Sequence, residues 1–146
     1  MTGMTAQDNA ALARRAYDLF NRGDLEGAAA LAAEDIRVDF VPFGMKTEGR
    51  EAFRDQYMGG FRRAFPDLVV TVVNQVATDE YVVNECTWRG THTGPLATPT
   101  GDLAATQKGV EGARFCEVWG IRDGKVASLV NYQDAGTWLR QLGLAA

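Results

Sequence analysis

The chain predicts an α+β fold, with helices packed on one face of a curved antiparallel sheet. Three observations predict it. The first third of the 146 residues carries apolar positions at helical spacing, whereas the second half is rich in β-branched residues. The helices precede the strands, so no βαβ alternation calls for a parallel sheet. Asp123-Gly124 stands between two strand-like segments and is a strong signal for a two-residue hairpin turn.

A first helix is predicted from Asp8 to Asn21, with Leu12, Ala13, Ala16, Tyr17, Leu19 and Phe20 as its apolar stripe. Gly23 stops it, and Asp24 is placed to cap a short alanine-rich helix from Leu25 to Ala33. Ile36 to Val41 alternates and reads as a strand, ended by the Pro42-Phe43-Gly44 turn. A third helix is expected within Thr47 to Phe65, entered near Gly49 and terminated by Pro66. In it Phe53, Tyr57, Phe61 and Phe65 recur every four residues, beside Met58. That stripe reads as core and pocket wall. Leu68 to Val76 and Tyr81 to Thr91 are predicted strands joined at Asp79-Glu80. Thr93 to Gly112 is polar and rich in Gly, Pro and Thr, which makes it a loop or a ragged hairpin end. Ala113 to Arg122 and Lys125 to Tyr132 form the hairpin, and a short helix runs from Asp134 to Gly143.

Composition narrows the function. The chain is 46% hydrophobic and 23% charged, ordinary for a soluble globular protein, and its length fits a single domain over residues 1–146. A net charge of -4 argues against nucleic acid as a partner. No segment approaches the roughly 18 apolar residues needed to cross a bilayer. Met1 to Asn9 lacks the basic flank and apolar run of a signal peptide, so a cytoplasmic location is expected. Cys86 and Cys116 read as small core residues rather than a disulfide pair. One histidine and no cysteine cluster make a metal site unexpected, and no phosphate-binding glycine loop is present.

Gly90-Thr91-His92-Thr93-Gly94, Ile121-Arg122-Asp123-Gly124-Lys125, Tyr132-Gln133-Asp134 and Leu139-Arg140-Gln141-Leu142-Gly143 resemble the landmarks of the SnoaL-like polyketide cyclases. These belong to the superfamily of nuclear transport factor 2, ketosteroid isomerase and scytalone dehydratase. The resemblance spans nearly the whole chain. It implies a cone-shaped α+β barrel open at one end, a pocket between sheet and helices, and a homodimer formed through the sheet. It also implies chemistry without metal or cofactor, in which the last ring of an aromatic polyketide closes by intramolecular aldol condensation. The family's acid/base aspartate lies on the final strand and its histidine on the strand before. Registered on Asp123-Gly124-Lys125, those positions fall on Asn131 and Glu117. An asparagine cannot exchange a proton near neutral pH. The carboxylate is displaced from one strand of the hairpin to its neighbour.

Alternation puts Phe115, Glu117, Trp119 and Ile121 on one face of their strand, shared with Leu129 and Asn131. Facing a pocket, Glu117 would be screened from water by Phe115 and Trp119 and would be a stronger proton acceptor. Facing outward, it would be an ordinary surface or dimer-contact carboxylate. Asn131 is either a hydrogen-bond donor to a substrate carbonyl or enolate, or a tie for neighbouring backbone. His92 is a candidate acid or base, or an anchor for the loop after it. Asp134 is a candidate catalytic group or a helix cap. Tyr17, Phe20 and Asp39 are candidate substrate contacts from the first helix and strand. Phe43, Met45, Phe53, Tyr57, Phe61, Trp88, Phe115, Trp119 and Leu129 would wall an apolar, aromatic pocket suited to a flat hydrophobic ligand. Arg89 and Arg114 read as surface residues. The expected activity is a cyclase or isomerase acting on a hydrophobic polyketide-like carbonyl compound. The alternatives are epoxide opening or a hydroxylase-type reaction, or a binding module with no catalysis.

Overall fold

The computed structural model describes residues 5–145. Helix α1 (Ala6–Asn21) starts at a reciprocal cap, in which the Thr5 hydroxyl accepts from the Asp8 amide and the Asp8 carboxylate accepts from the Thr5 amide. It buries Ala13, Ala16, Tyr17 and Leu19, which belong to the predicted stripe. Helix α2 is capped by Asp24 as expected but spans only Leu25–Ala29. The two alanines predicted to extend it open strand β1 (Ala32–Phe40) instead. Ala32 pairs with Val126, and the Arg50 guanidinium donates twice to its carbonyl, so tertiary pairing overrides alanine's helix preference.

After a single 3₁₀ turn at Val41–Phe43 comes strand β2 (Met45–Glu48), an edge strand where the sequence suggests the approach to a helix. The long helix that follows is composite. Helix α3 (Arg50–Ala52) passes into a π-helical stretch, Phe53–Met58, and then into α4 (Gly59–Ala64). Residues four apart advance roughly 40° beyond a full α-helical turn, so an aromatic every fourth position would drift off one face. The wider i→i+5 turn of Phe53–Met58, closed by the Gly59 amide on the Arg54 carbonyl, works against that drift.

Strands β3 (Val69–Ala77) and β4 (Tyr81–Thr91) match the expectation. The region from Thr93 to Gly112 holds a small hairpin, β5 (Leu96–Thr98) with β6 (Gly101–Leu103), and the start of the long strand β7 (Gly109–Arg122). Strand β8 (Lys125–Gln133) returns across Asp123-Gly124, where both residues have positive φ (53° and 72°) as a type I′ turn requires. Helix α5 (Ala135–Gln141) closes the described chain.

The main sheet has the order β2-β1-β8-β7-β4-β3. All its pairs are antiparallel except β1 with β8, which run parallel. The sheet is therefore mixed rather than antiparallel throughout. The first strand is separated from the last by most of the chain, so no hairpin forces an antiparallel pairing. One buried face, with Ile36, Val38, Val82 and Leu129, packs against the helices and shares its core with Trp138 of α5. The two cysteines lie on opposite faces of β4 and β7 and are both free. No described helix is long and apolar enough to cross a membrane.

His92 holds the segment after β4 in place. Its backbone exchanges hydrogen bonds with Lys108 and Gln107, and the Thr93 and Gly94 amides both donate to the Ala64 carbonyl. A Cβ on Gly94 would lie well inside contact distance of the Arg63 carbonyl oxygen, and neither is free to move. Gly94→Ala should therefore destabilise the protein by about 1–3 kcal/mol. Urea unfolding should show a lower midpoint at unchanged slope, and an unchanged midpoint would show the loop is free to shift.

Candidate active site

Strands β7 and β8 build the polar centre. Their register sets Glu117 directly opposite Asn131, Trp119 opposite Leu129 and Phe115 opposite Gln133. Alternation turns Phe115, Glu117 and Trp119 inward, where all three are buried. Helix α1 brings Tyr17 over this face, and the π-helical stretch brings Tyr57 from the other side.

Glu117 is 5% exposed, and among the described residues no cation pairs with it. A buried carboxylate is costly unless hydrogen bonds replace its water. Four neutral donors do so. Oε1 accepts from the Tyr17 hydroxyl at 2.6 Å and the Trp119 indole at 3.2 Å. Oε2 accepts from the Tyr57 hydroxyl at 2.5 Å and the Asn131 amide at 2.9 Å. That fills the roughly four lone-pair positions a carboxylate presents. The Asn131 amide also donates to the Tyr57 oxygen at 3.0 Å, and its carbonyl accepts from Gln133 at 2.9 Å.

Burial, reinforced by the Glu117 charge, raises the pKa of both phenols well above the ordinary 10. They therefore remain donors at any working pH. Burial, with the same carboxylate as the next cause, pushes the Cys86 thiol up to about 12, so it is no thiolate nucleophile.

Above this cluster lies a cavity of about 80 Å³. Of the residues expected from sequence, Tyr17, Phe20, Phe53, Tyr57, Phe61, Trp88, Phe115, Glu117, Trp119, Leu129 and Asn131 line it. Ala16, Ala28, Leu68, Val70 and Gln133 also line it and were not anticipated, and Met58 joins them from beside the aromatic stripe. Gln133 was legible in principle, because it shares parity with Asn131 on β8.

Five expected residues are elsewhere. His92 is fully buried behind Phe65, their rings 5.2 Å apart, and its Nδ1 accepts from the Thr106 amide at 3.2 Å. Burial lowers its pKa, which favours the neutral ring, and its hydrogen bonds tie it to the loop after β4. Asp134 caps α5 by accepting from the Thr137 amide, at the surface. Asp39 sits between the buried Val38 and Phe40, so its side chain takes the opposite face of β1. Phe43 packs on Phe40 and Trp138 instead of the cavity, and Met45 is on the edge strand.

The chain belongs to the SnoaL-like polyketide cyclase family, which it matches over residues 10–142. Among solved structures it is similar to AclR of Streptomyces galilaeus, provisionally assigned as a hydroxylase. The two are 25% identical, over 98% of this chain and 100% of that one, with a TM-score of 0.77. A provisionally assigned polyketide cyclase of Pseudomonas putida is 26% identical over 95% of this chain and 98% of its own, with a TM-score of 0.73. A provisionally assigned SnoaL-like cyclase of Jannaschia sp. covers 100% of this chain and 99% of its own at a TM-score of 0.83. At 17% identity, that last likeness speaks for the fold alone. No curated protein matches the chain.

The raised phenols carry a pH signature. Above pH 10.0 the unfolded tyrosines ionise while the buried pair stays neutral, so the folded state holds more protons and stability falls as pH climbs. Cys86 acts in the same direction. Melting temperatures taken from roughly pH 9 to 11 should drop steeply, and less steeply in Tyr57→Phe. Parallel slopes would mean that Tyr57 is solvated.

Proposed function

We propose that the protein is a general acid/base enzyme acting on a hydrophobic carbonyl compound, by aldol-type ring closure or by isomerisation through the same enolate. The observation that carries this reading is the Glu117 carboxylate, held by four neutral donors at the edge of an aromatic-walled cavity. The cavity is smaller than the roughly 300 Å³ of a pocket that encloses a whole drug-sized ligand. It suits the reacting end of a flat apolar substrate.

Glu117 takes a proton from the carbon next to the substrate carbonyl, and the electron pair moves to the carbonyl oxygen as an enolate. The protonated carboxyl can no longer accept four hydrogen bonds. One donor, Tyr57 or Tyr17, is released as negative charge appears on the substrate, and it turns to the enolate oxygen. In ring closure the enolate carbon attacks a second carbonyl, and the new alkoxide takes the proton back from Glu117. Substrate and product then have the same mass, and the enzyme returns to its starting state. The resemblance to the family puts its aspartate position at Asn131. Here it is a donor that holds Glu117 and Tyr57 together, while Glu117 carries the proton.

The likeness to AclR favours a second reading, a hydroxylase-type reaction, and the same cavity would also serve one in which Glu117 directs water onto an epoxide. Product mass separates both from ring closure, which conserves mass where hydroxylation and water addition do not. We also read the other face of the sheet as a homodimer contact. Val76, Tyr81 and Tyr132 remain exposed there, at 57%, 51% and 50%. Sedimentation of Tyr132→Asp beside the parent chain tests this, with dissociation to monomer expected and identical species counting against it.

Glu117→Gln should lower kcat on a cyclisable aromatic polyketone by roughly 10²–10⁴-fold. Tyr57→Phe should lower it by about 10²-fold, the usual loss for one oxyanion donor. Full turnover by Glu117→Gln would overturn the reading. Saturable binding of a hydrophobic dye without turnover of any ketone or epoxide would leave a binding protein.

A further inference from the structure

Gln133 and Trp138 extend the polar cluster out of the cavity in one direction. Trp138 is fully buried on α5, and its indole N–H can only donate. It donates to the Gln133 Oε1 at 2.7 Å. With its oxygen committed, the Gln133 amide turns its nitrogen the other way, to the Asn131 Oδ1 at 2.9 Å. The Asn131 nitrogen then faces Glu117 Oε2 and the Tyr57 oxygen. Each amide has a donor end and an acceptor end, so reversing Gln133 sets like against like at Trp138 and Asn131, and reversing Asn131 does so at Gln133 and Glu117. The indole at one end and the carboxylate at the other demand the same polarity.

We propose that Gln133 is a positioning residue, which holds the Asn131 amide nitrogen toward the reacting carboxylate, and that Trp138 sets the sense of this relay from the C-terminal helix. The assignment deepens the acid/base reading and rests on it for its catalytic meaning. A reversed Asn131 would aim its carbonyl oxygen at Glu117 and take one of the four donors away. The Asn131 nitrogen spans Glu117 and Tyr57, so the loss would also remove the donor to the Tyr57 oxygen and leave that phenol held by Glu117 alone. Helix α5 is thereby tied to the chemistry without touching substrate.

The test has a readout independent of turnover. In ¹⁵N-labelled protein, the Asn131 side-chain amide signals are identified by their disappearance in Asn131→Asp. In Glu117→Gln they should move. In Gln133→Met, which keeps side-chain volume and removes both hydrogen-bonding ends, they should move and exchange with water faster. Trp138→Phe, which removes the donor together with part of the buried ring, should have the same effect, and it serves where Gln133→Met does not fold. On a cyclisable ketone both variants should lose about 10-fold in kcat with KM nearly unchanged, the pattern of an interaction made in the transition state. Asn131 signals that respond to Glu117→Gln but not to Gln133→Met or Trp138→Phe would overturn the relay. If the relay variants move the signals while Glu117→Gln keeps full turnover, the acid/base reading fails and the relay stands as a structural device.

Discussion

The structure is organised around one electrostatic constraint, a carboxylate taken out of water with no counter-ion among the described residues. In a protein interior such a charge is tolerated only where hydrogen bonds replace hydration nearly completely. The donors that satisfy Glu117 come from four different places: Tyr17 on α1, Tyr57 on the π-helical stretch, Trp119 on its own strand and Asn131 across the ladder. None of these elements can shift far without leaving one acceptor position empty. The same constraint accounts for the raised phenols, since each is buried and stands beside a negative charge that opposes a second one.

Much of this was legible in the sequence, and for identifiable reasons. The Asp123-Gly124 turn specifies the register of the hairpin, and strand alternation then carries Phe115, Glu117 and Trp119 to one face together with Leu129 and Asn131. An aromatic at every fourth position between Phe53 and Phe61 marks a helix face lining a cavity. These are local regularities, and local regularities survive folding. Tyr17 and Tyr57 stood among the expected contacts, but nothing in the spacing said that both hydroxyls would meet one carboxylate, which lies 100 and 60 positions away along the chain.

What the sequence did not disclose depends on partners far away in the chain. Ala32 and Ala33 read as helix until β8 supplies a strand for β1 to pair with. Met45 to Glu48 is too short for alternation to announce it, and it exists because β1 presents an open edge. His92 and Asp134 drew attention as chemically versatile side chains. Residue type alone does not separate a catalyst from an anchor or a cap. His92 lies behind Phe65, and Asp134 is engaged with the first turn of α5.

The exchange of residues on the hairpin has a chemical logic. By the resemblance to the family, registered on the Asp123-Gly124-Lys125 turn, its aspartate and histidine positions would be filled here by Asn131 and Glu117. An aspartate facing a histidine can share charge as an ion pair across the ladder. A glutamate facing an asparagine cannot, and its charge is met by neutral, hydrogen-bonded groups instead. A fixed cation would go on favouring the carboxylate through the reaction and would oppose its protonation. Neutral hydroxyls are less committed: they follow the negative charge to whichever oxygen bears it. In a water-poor cavity that mobility is worth more than in bulk solvent, because the donors are already in place when the charge moves. The Glu117–Asn131 arrangement is in this sense a consistent alternative to the family's pair rather than a damaged version of it. Under the proposed acid/base function, the two tyrosines and the amide relay behind Asn131 become part of the reacting centre.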